Sequence, residues 1–178
     1  MNLEQLQGFE RLHREFARQL ADRVSSLVGR GQPVQADLAF TDRTSYGEFI
    51  LSLSTHNYSF RYAVEGLGDV VLAVPIPLAD GLVVPGKGEP AAQVQNLGEG
   101  MARDLEAIWS PLTPFTITQI EPHSDPWAIG AAPMYAVTAL QAVEVKAAGS
   151  KDELSGLVEV CYPASVIRDV LDRLPAVP

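Results

Sequence analysis

A chain of 178 residues suits a single domain, expected to bury about 70% of the surface of its unfolded chain. Its net charge of −9 provides no basic stripe to displace counterions from phosphates, which excludes nucleic acid and an anionic membrane surface as partners. Cys161 is the one cysteine, so no internal disulfide framework can form, and no apolar run approaches a membrane span or a signal-peptide core; a cytoplasmic protein is expected.

In chain order, Leu6, Phe9, Leu12, His13, Phe16, Leu20, Val24 and Leu27 recur every three or four residues, which predicts one buried face of a helix over Leu3–Val28. Glu10, Arg14, Arg18, Gln19, Asp22 and Arg23 fall mostly on the other face. Gly29 supplies the stop, with Gly31 and Pro33 behind it. Two aromatic rings on one stripe need a broad apolar partner, most simply a sheet. Val34–Phe40 alternates and predicts a strand burying Val34, Ala36, Leu38 and Phe40. Thr44–Leu53 has helical spacing through Tyr46, Phe49, Ile50 and Leu53. Tyr58–Val64 alternates again, with Tyr58, Phe60, Tyr62 and Val64 on one side. A turn at Gly66–Asp69 leads into Val70–Ile76, apolar enough for a central strand covered on both faces. Pro75 and Pro77 break that run, and Leu78–Val84 has room for a turn or two of helix before Pro85.

The second half repeats the order. Ala91–Trp109 predicts a helix with Val94, Leu97, Met101, Leu105, Ile108 and Trp109 inward, and Gly98 and Gly100 within it point to close packing. Phe115–Ile120 reads as a strand and Pro122–Ile129 as an irregular or short helical crossing. Met134–Lys146 and Leu154–Tyr162 read as long strands joined by a turn at Gly149–Lys151, and Ala164–Leu174 as a closing helix. Each half thus runs helix, strand, crossing segment, two strands, helix. The expected architecture is one α/β domain over residues 1–178, made of pseudo-repeats 1–85 and 90–178 that share one pseudo-twofold sheet with helices on both faces.

No active site emerges from spacing. The three histidines, His13, His56 and His123, do not stand at metal-ligand spacing, and His13 reads as a residue at the core boundary. Cys161 at the end of an apolar strand reads as a packed hydrophobe. Asp42, Glu48, Glu99, Asp104 and Glu106 have no partners evident in sequence and read as solvated residues or helix caps. Gly86 and Gly88 lack the context of a phosphate loop. Gly47 between Tyr46 and Glu48 fits either a binding edge or plain turn geometry.

Several short stretches resemble a family. Glu15-Phe16-Ala17-Arg18 followed by Ser25-Ser26-Leu27 resembles the opening helix of the middle domain of the flagellar motor switch protein FliM. Tyr46-Gly47-Glu48-Phe49 with Ser52-Leu53 is similar to its next signature, with Ser54 where the family has proline. Leu105–Trp109 with Pro111-Leu112, and Val160-Cys161-Tyr162-Pro163 with Ser165 and Ile167, resemble later family turns, and the order holds from Leu6 to Leu174.

The resemblance implies the three-layer α/β/α sandwich of the CheC, CheX and FliM-like family, with an internal pseudo-twofold repeat. It implies a non-enzymatic scaffold in the cytoplasmic ring of the flagellar rotor, on the inner face of the membrane, with no cofactor. The partners it implies are a FliG-like rotor protein, a FliN-like protein, a CheY-type response regulator and neighbouring copies of the chain. The family's glycine-rich FliG-contacting loop corresponds to Gly86-Lys87-Gly88, which fits equally a shortened contact loop or a connector; Tyr46 and Glu48 are the other candidate contacts. Two alternatives stand beside it. One is an adaptor in a type III secretion sorting platform. The other is a CheC-like phosphatase of phosphorylated CheY, which needs an acid followed three residues on by asparagine. Neither Glu10, followed at that position by His13, nor Glu99, followed by Ala102, meets that requirement.

Overall fold

The computed structural model describes residues 1–29, 33–53, 56–148 and 153–178. Its first helix, α1 (Leu3–Val28), starts in a capping box: the Asn2 side chain accepts from the Gln5 amide, and the Gln5 side chain accepts from the Asn2 amide. It ends at Gly29, whose φ of 97° disfavours a side chain. Phe9, Leu12, Phe16, Leu20 and Val24 are buried, as the periodicity predicts. Three residues depart from it. His13 lies fully inside the core and not at its boundary, because its ring nitrogens find partners there. Leu27 is 38% exposed and lines a groove beside the helices Ile76–Gly81 and Pro90–Trp109. Arg23 turns toward a second helix and is held there by a carboxylate.

The strands are β1 (Val34–Ser45), β2 (Asn57–Val64), β3 (Gly68–Pro75), β4 (Ile117–His123), β5 (Val137–Ala148) and β6 (Glu153–Pro163). They form one sheet in the order β1-β5-β6-β3-β2-β4, and every pairing is antiparallel. Each edge strand pairs with a strand of the other half of the chain, so neither half completes a sheet alone. Exchanging β1 with β4, β2 with β5 and β3 with β6 turns the strand order into its own reverse. That order is compatible with a twofold relation between the halves.

The two faces of the sheet differ. One is covered by α1, by α3 (Ile76–Gly81), by α4 (Pro90–Trp109), and by α5 (Ala164–Ile167) with the 3₁₀ segment Arg168–Ala176. The other is covered only in part, by α2 (Tyr46–Ser52) and the segment around Ile129–Ala136. There Tyr46, Phe49, Ile50, Leu53 and Ile129 pack on Val71, Ala73, Leu140 and Cys161. The third layer of the α/β/α sandwich is therefore thin. Strand β3 is central as expected, with Val70, Leu72 and Val74 in the large core and Val71 and Ala73 in the small one.

Two expectations need correction. Phe40 does not join Val34, Ala36 and Leu38 on the buried face. A bulge between Leu38 and Phe40 inserts Ala39, and the one-residue slip turns Phe40 to the open face, 42% exposed. The closing helix lasts only through Ile167, and the remainder winds as a 3₁₀ helix up to Pro175 and Ala176. Here the carbonyl of Leu174 faces Gly8 of α1 so closely that a Cβ on Gly8 would overlap it. Gly98 likewise leaves room for the Phe60 ring, and its carbonyl accepts from the Tyr62 hydroxyl at 2.6 Å. The expected turn at Gly149–Lys151, and Gly31 and Ser54, lie outside the described residues.

Candidate functional site

The loop between α3 and α4 carries Gly86-Lys87-Gly88. Both glycines take positive φ, 80° and 111°, which only glycine adopts without strain. A Cβ added to either would meet nothing within 4 Å, so the loop stands clear of the fold. It is shaped from below by Gln93 in the first turn of α4. The Gln93 side chain accepts from the Val84 amide at 2.8 Å and donates to the carbonyls of Val84 and Gly88. Pro90 opens α4 where a missing N–H costs nothing.

Beside the loop runs a groove of about 330 Å³ between α1, α3 and α4, lined by Leu27, Leu82, Val83, Val94 and Leu97 with Lys87 at its rim. Its far wall is Arg23, joined to Asp104 of α4 by two hydrogen bonds of 2.7 and 2.8 Å. Asp104, expected to be unpaired, is thus the structural partner that fixes α1 on α4, and the hydrogen-bonded carboxylate holds the Arg23 guanidinium above its ordinary pKa. Gly100 makes space for that guanidinium.

Tyr46 and Glu48 lie on the opposite face of the sheet, on α2, and are not brought together with the loop. Tyr46 is 1% exposed, and its hydroxyl accepts from the Ala131 amide, so its ring belongs to the small core. Glu48 closes a capping box: its carboxylate accepts from the Ser45 amide and from the Thr44 and Ser45 hydroxyls. Those bonds lower its pKa, the backbone one most. Gly47 lets Met134 cross α2 closely.

Buried polar groups serve the fold. His13 Nδ1 lies 2.8 Å from the Phe9 carbonyl, which makes it the donor and leaves Nε2 to accept from the Tyr162 hydroxyl at 2.8 Å. The Tyr162 oxygen accepts in turn from Trp109 Nε1 at 3.1 Å. Burial lowers the His13 pKa from 6.5 to about 4, so the neutral ring fits this chain of bonds. Burial also pushes Cys161 up to about 12, which keeps the thiol protonated and inert. No group of three or more metal-ligating side chains occurs among the described residues, and no helix among them is long and apolar enough to cross a membrane.

Helix α4 also carries Asn96, exposed, with Gln93 three residues before it. This is the spacing of the acid and asparagine that the phosphatase chemistry requires, with an amide where the acid would stand. Sequence spacing does not single out this pair, because Gln93 is neutral; its role as the loop's clasp is set only by the fold.

A single antiparallel sheet with helices packed mainly on one face and a thin third layer on the other defines an α/β/α sandwich domain. Within that class the fold is that of the FliM middle domain. The chain is similar to the FliM middle domain from H. pylori, with a TM-score of 0.83 and 22% identity over 97% of this chain and 99% of that one. It is similar to a chain in a FliG–FliM complex from H. pylori, with a TM-score of 0.81 and 23% identity over 97% and 100%. The similarity extends to Thermotoga maritima FliY, with a TM-score of 0.73 and 11% identity over 100% and 99%. No protein-family model matches the sequence, and no curated protein matches it.

Proposed function

We propose that this chain is a non-enzymatic scaffold of a flagellar motor switch, and that its Gly86-Lys87-Gly88 loop contacts a FliG-like rotor protein. The observation that carries this reading is the end-to-end structural match to FliM middle domains, one of them in a complex with FliG. The loop's form supports it: two glycines at positive φ project Lys87 beside an apolar groove, and Gln93 braces them. A FliN-like protein, a CheY-type response regulator and neighbouring copies complete the partner set in this reading, which locates the protein at the cytoplasmic side of the basal body. Residues 1–85 and 90–178 are then two copies of one ancestral unit, in keeping with the reversible strand order.

The phosphatase alternative has no support in the chemistry of α4. An amide at Gln93 cannot take the acid's part beside Asn96, and its hydrogen bonds are committed to the loop. Phosphorylated CheY should therefore lose its phosphate at the same rate with or without the protein, measured by phosphate release. Turnover above that background would overturn the scaffold reading. A titration of the protein with a FliG-like partner tests the positive claim.

A further inference from the structure

One row of residues crosses the whole sheet on its open face. By strand register it runs Phe40, Ala142, Glu159, Ala73, Ser59 and His123, one residue from each strand. Ala142 is small and fully buried, and Ala73 lies at the edge of the small core under α2, so Glu159 stands beside that core with a small residue on either flank. Its same-face neighbours along β6 are Leu157 and Cys161, and those diagonal to it are Leu140, Glu144, Val71 and Pro75. None is a cation, and Glu159 has no hydrogen bond or ion pair among the described residues. Burial alone acts on this carboxyl, and it raises the pKa. Further along the row, the Ser59 hydroxyl is buried without a hydrogen-bond partner, with the residue 1% exposed, and His123 Nε2 lies 3.5 Å from a Glu121 carboxylate oxygen.

The rest of the face has the same sign. Asp37, Asp42, Asp69, Glu121, Glu144 and Glu153 share it by register with Glu159, against Lys146 and Arg61. Both cations are already taken: Lys146 lies 3.5 Å from Glu144, and Arg61 binds Asp69 at 2.6 Å. A carboxylate kept half-buried without a partner costs stability, and such groups mark places where something else supplies the charge.

We propose that the open face of the sheet is a docking surface for a basic segment of a partner protein, with one arginine or lysine side chain seated against Glu159 on the Ala142 side, beside the edge of the small core. Phe40 at the end of the row offers the aromatic contact that a guanidinium favours, and Ser59 is the polar group left to answer it. This proposal is independent of the Gly86-Lys87-Gly88 loop, which lies beyond the other face.

The test is a titration of the isotope-labelled protein with the peptide acetyl-Ala-Arg-Ala-amide, followed by backbone amide shifts and by the Glu159 carboxyl resonance. Saturable shifts should concentrate at Ala73, Ala142 and Glu159, and the titration midpoint of Glu159 should fall as the peptide saturates. Glu159→Gln should weaken binding about fivefold or more, whereas Glu144→Gln, already paired with Lys146, should change it far less. The melting temperature of Glu159→Gln, equal to or above that of the parent, separates lost binding from lost folding. Shifts spread evenly over the acidic surface, equal binding by Glu159→Gln, or equal binding of acetyl-Ala-Glu-Ala-amide would overturn the proposal. Concentration-dependent shifts along the row without peptide would give the face to a second copy of the chain, and would also overturn it.

Discussion

The two faces of this sheet are made by the same strands and do opposite things. On the face beneath α1 and α4, the strand residues are mostly Val, Leu, Ile, Ala, Tyr and Phe, with the hydrogen-bonded pair Thr41 and Gln141 among them and a single charged side chain, Arg43. On the other, alternate residues of those strands carry the carboxylates, the unpartnered Ser59 hydroxyl, and the exposed Phe40. Burial on the first face supplies most of the stability; incomplete cover on the second leaves the Glu159 carboxylate without a partner among the described residues. Because successive side chains of a strand point to opposite sides, one chain segment serves both ends without compromise. The loop at Gly86–Gly88 belongs to neither face and is held off the fold by its own helix.

The comparison breaks hardest at Phe16. Its ring is fully buried between α1 and the sheet, so Phe16→Ala should cost about 3–5 kcal/mol by leaving a cavity. Chemical denaturation measures this directly, and a loss below about 1 kcal/mol would remove α1 from the centre of the covered face. Next comes His13. Its folded pKa lies below the unfolded value, so the unfolded chain takes up the proton first. Stability held above pH 6.5 should fall as pH drops toward 4, by about 3 kcal/mol in all. Melting temperatures across that window, compared with those of His13→Gln, isolate the contribution, which the variant should lack.

Gly8→Ala tests the close approach of α1 to the 3₁₀ segment. An added methyl overlaps the Leu174 carbonyl, and backbone there must shift, at about 1–3 kcal/mol. The smallest effect has the opposite sign. Glu159 has a raised folded pKa, so its charged form weakens the fold above that pKa and the penalty fades as pH falls through it. Glu159→Gln should therefore melt slightly above the parent at neutral pH, with no difference in acid. A variant that melts lower at neutral pH would mean the carboxylate is stabilising and the open face is not strained as described.

Much of the covered face was legible in the sequence. The stripe of α1 has the helical period, β3 is continuously apolar, and the breaks at Gly29 and Pro75 are local. The resemblance to FliM middle domains added the sandwich architecture, and the structural matches agree with it. What was not legible depends on distant pairing. Phe40 is turned by a bulge set against β5, and no alternation rule reveals one inserted residue. His13 meets Tyr162 across 149 positions and Arg23 meets Asp104 across 81, so neither a buried histidine nor a paired carboxylate could be read locally. The candidate loop was visible as a glycine pair, but its clasp, Gln93, was not. Tyr46 reads as a contact in the sequence but is a core residue, because α2 and the segment around Ile129–Ala136 together seal that part of the open face through it.

On the proposed function, the loop makes the partner contact while the sheet carries the fold. The direct measurement is calorimetric titration of a FliG-like rotor protein into the parent and into the Gly86→Val, Gly88→Val double variant, with melting temperatures on the same preparations. Valine at φ of 80° and 111° must reshape the loop, yet no atom of the fold lies within reach of the added groups. The account predicts binding by the parent, affinity weaker by about tenfold or more in the variant, and melting temperatures within a few degrees. No binding by the parent, or equal affinity with the fold intact, would contradict it.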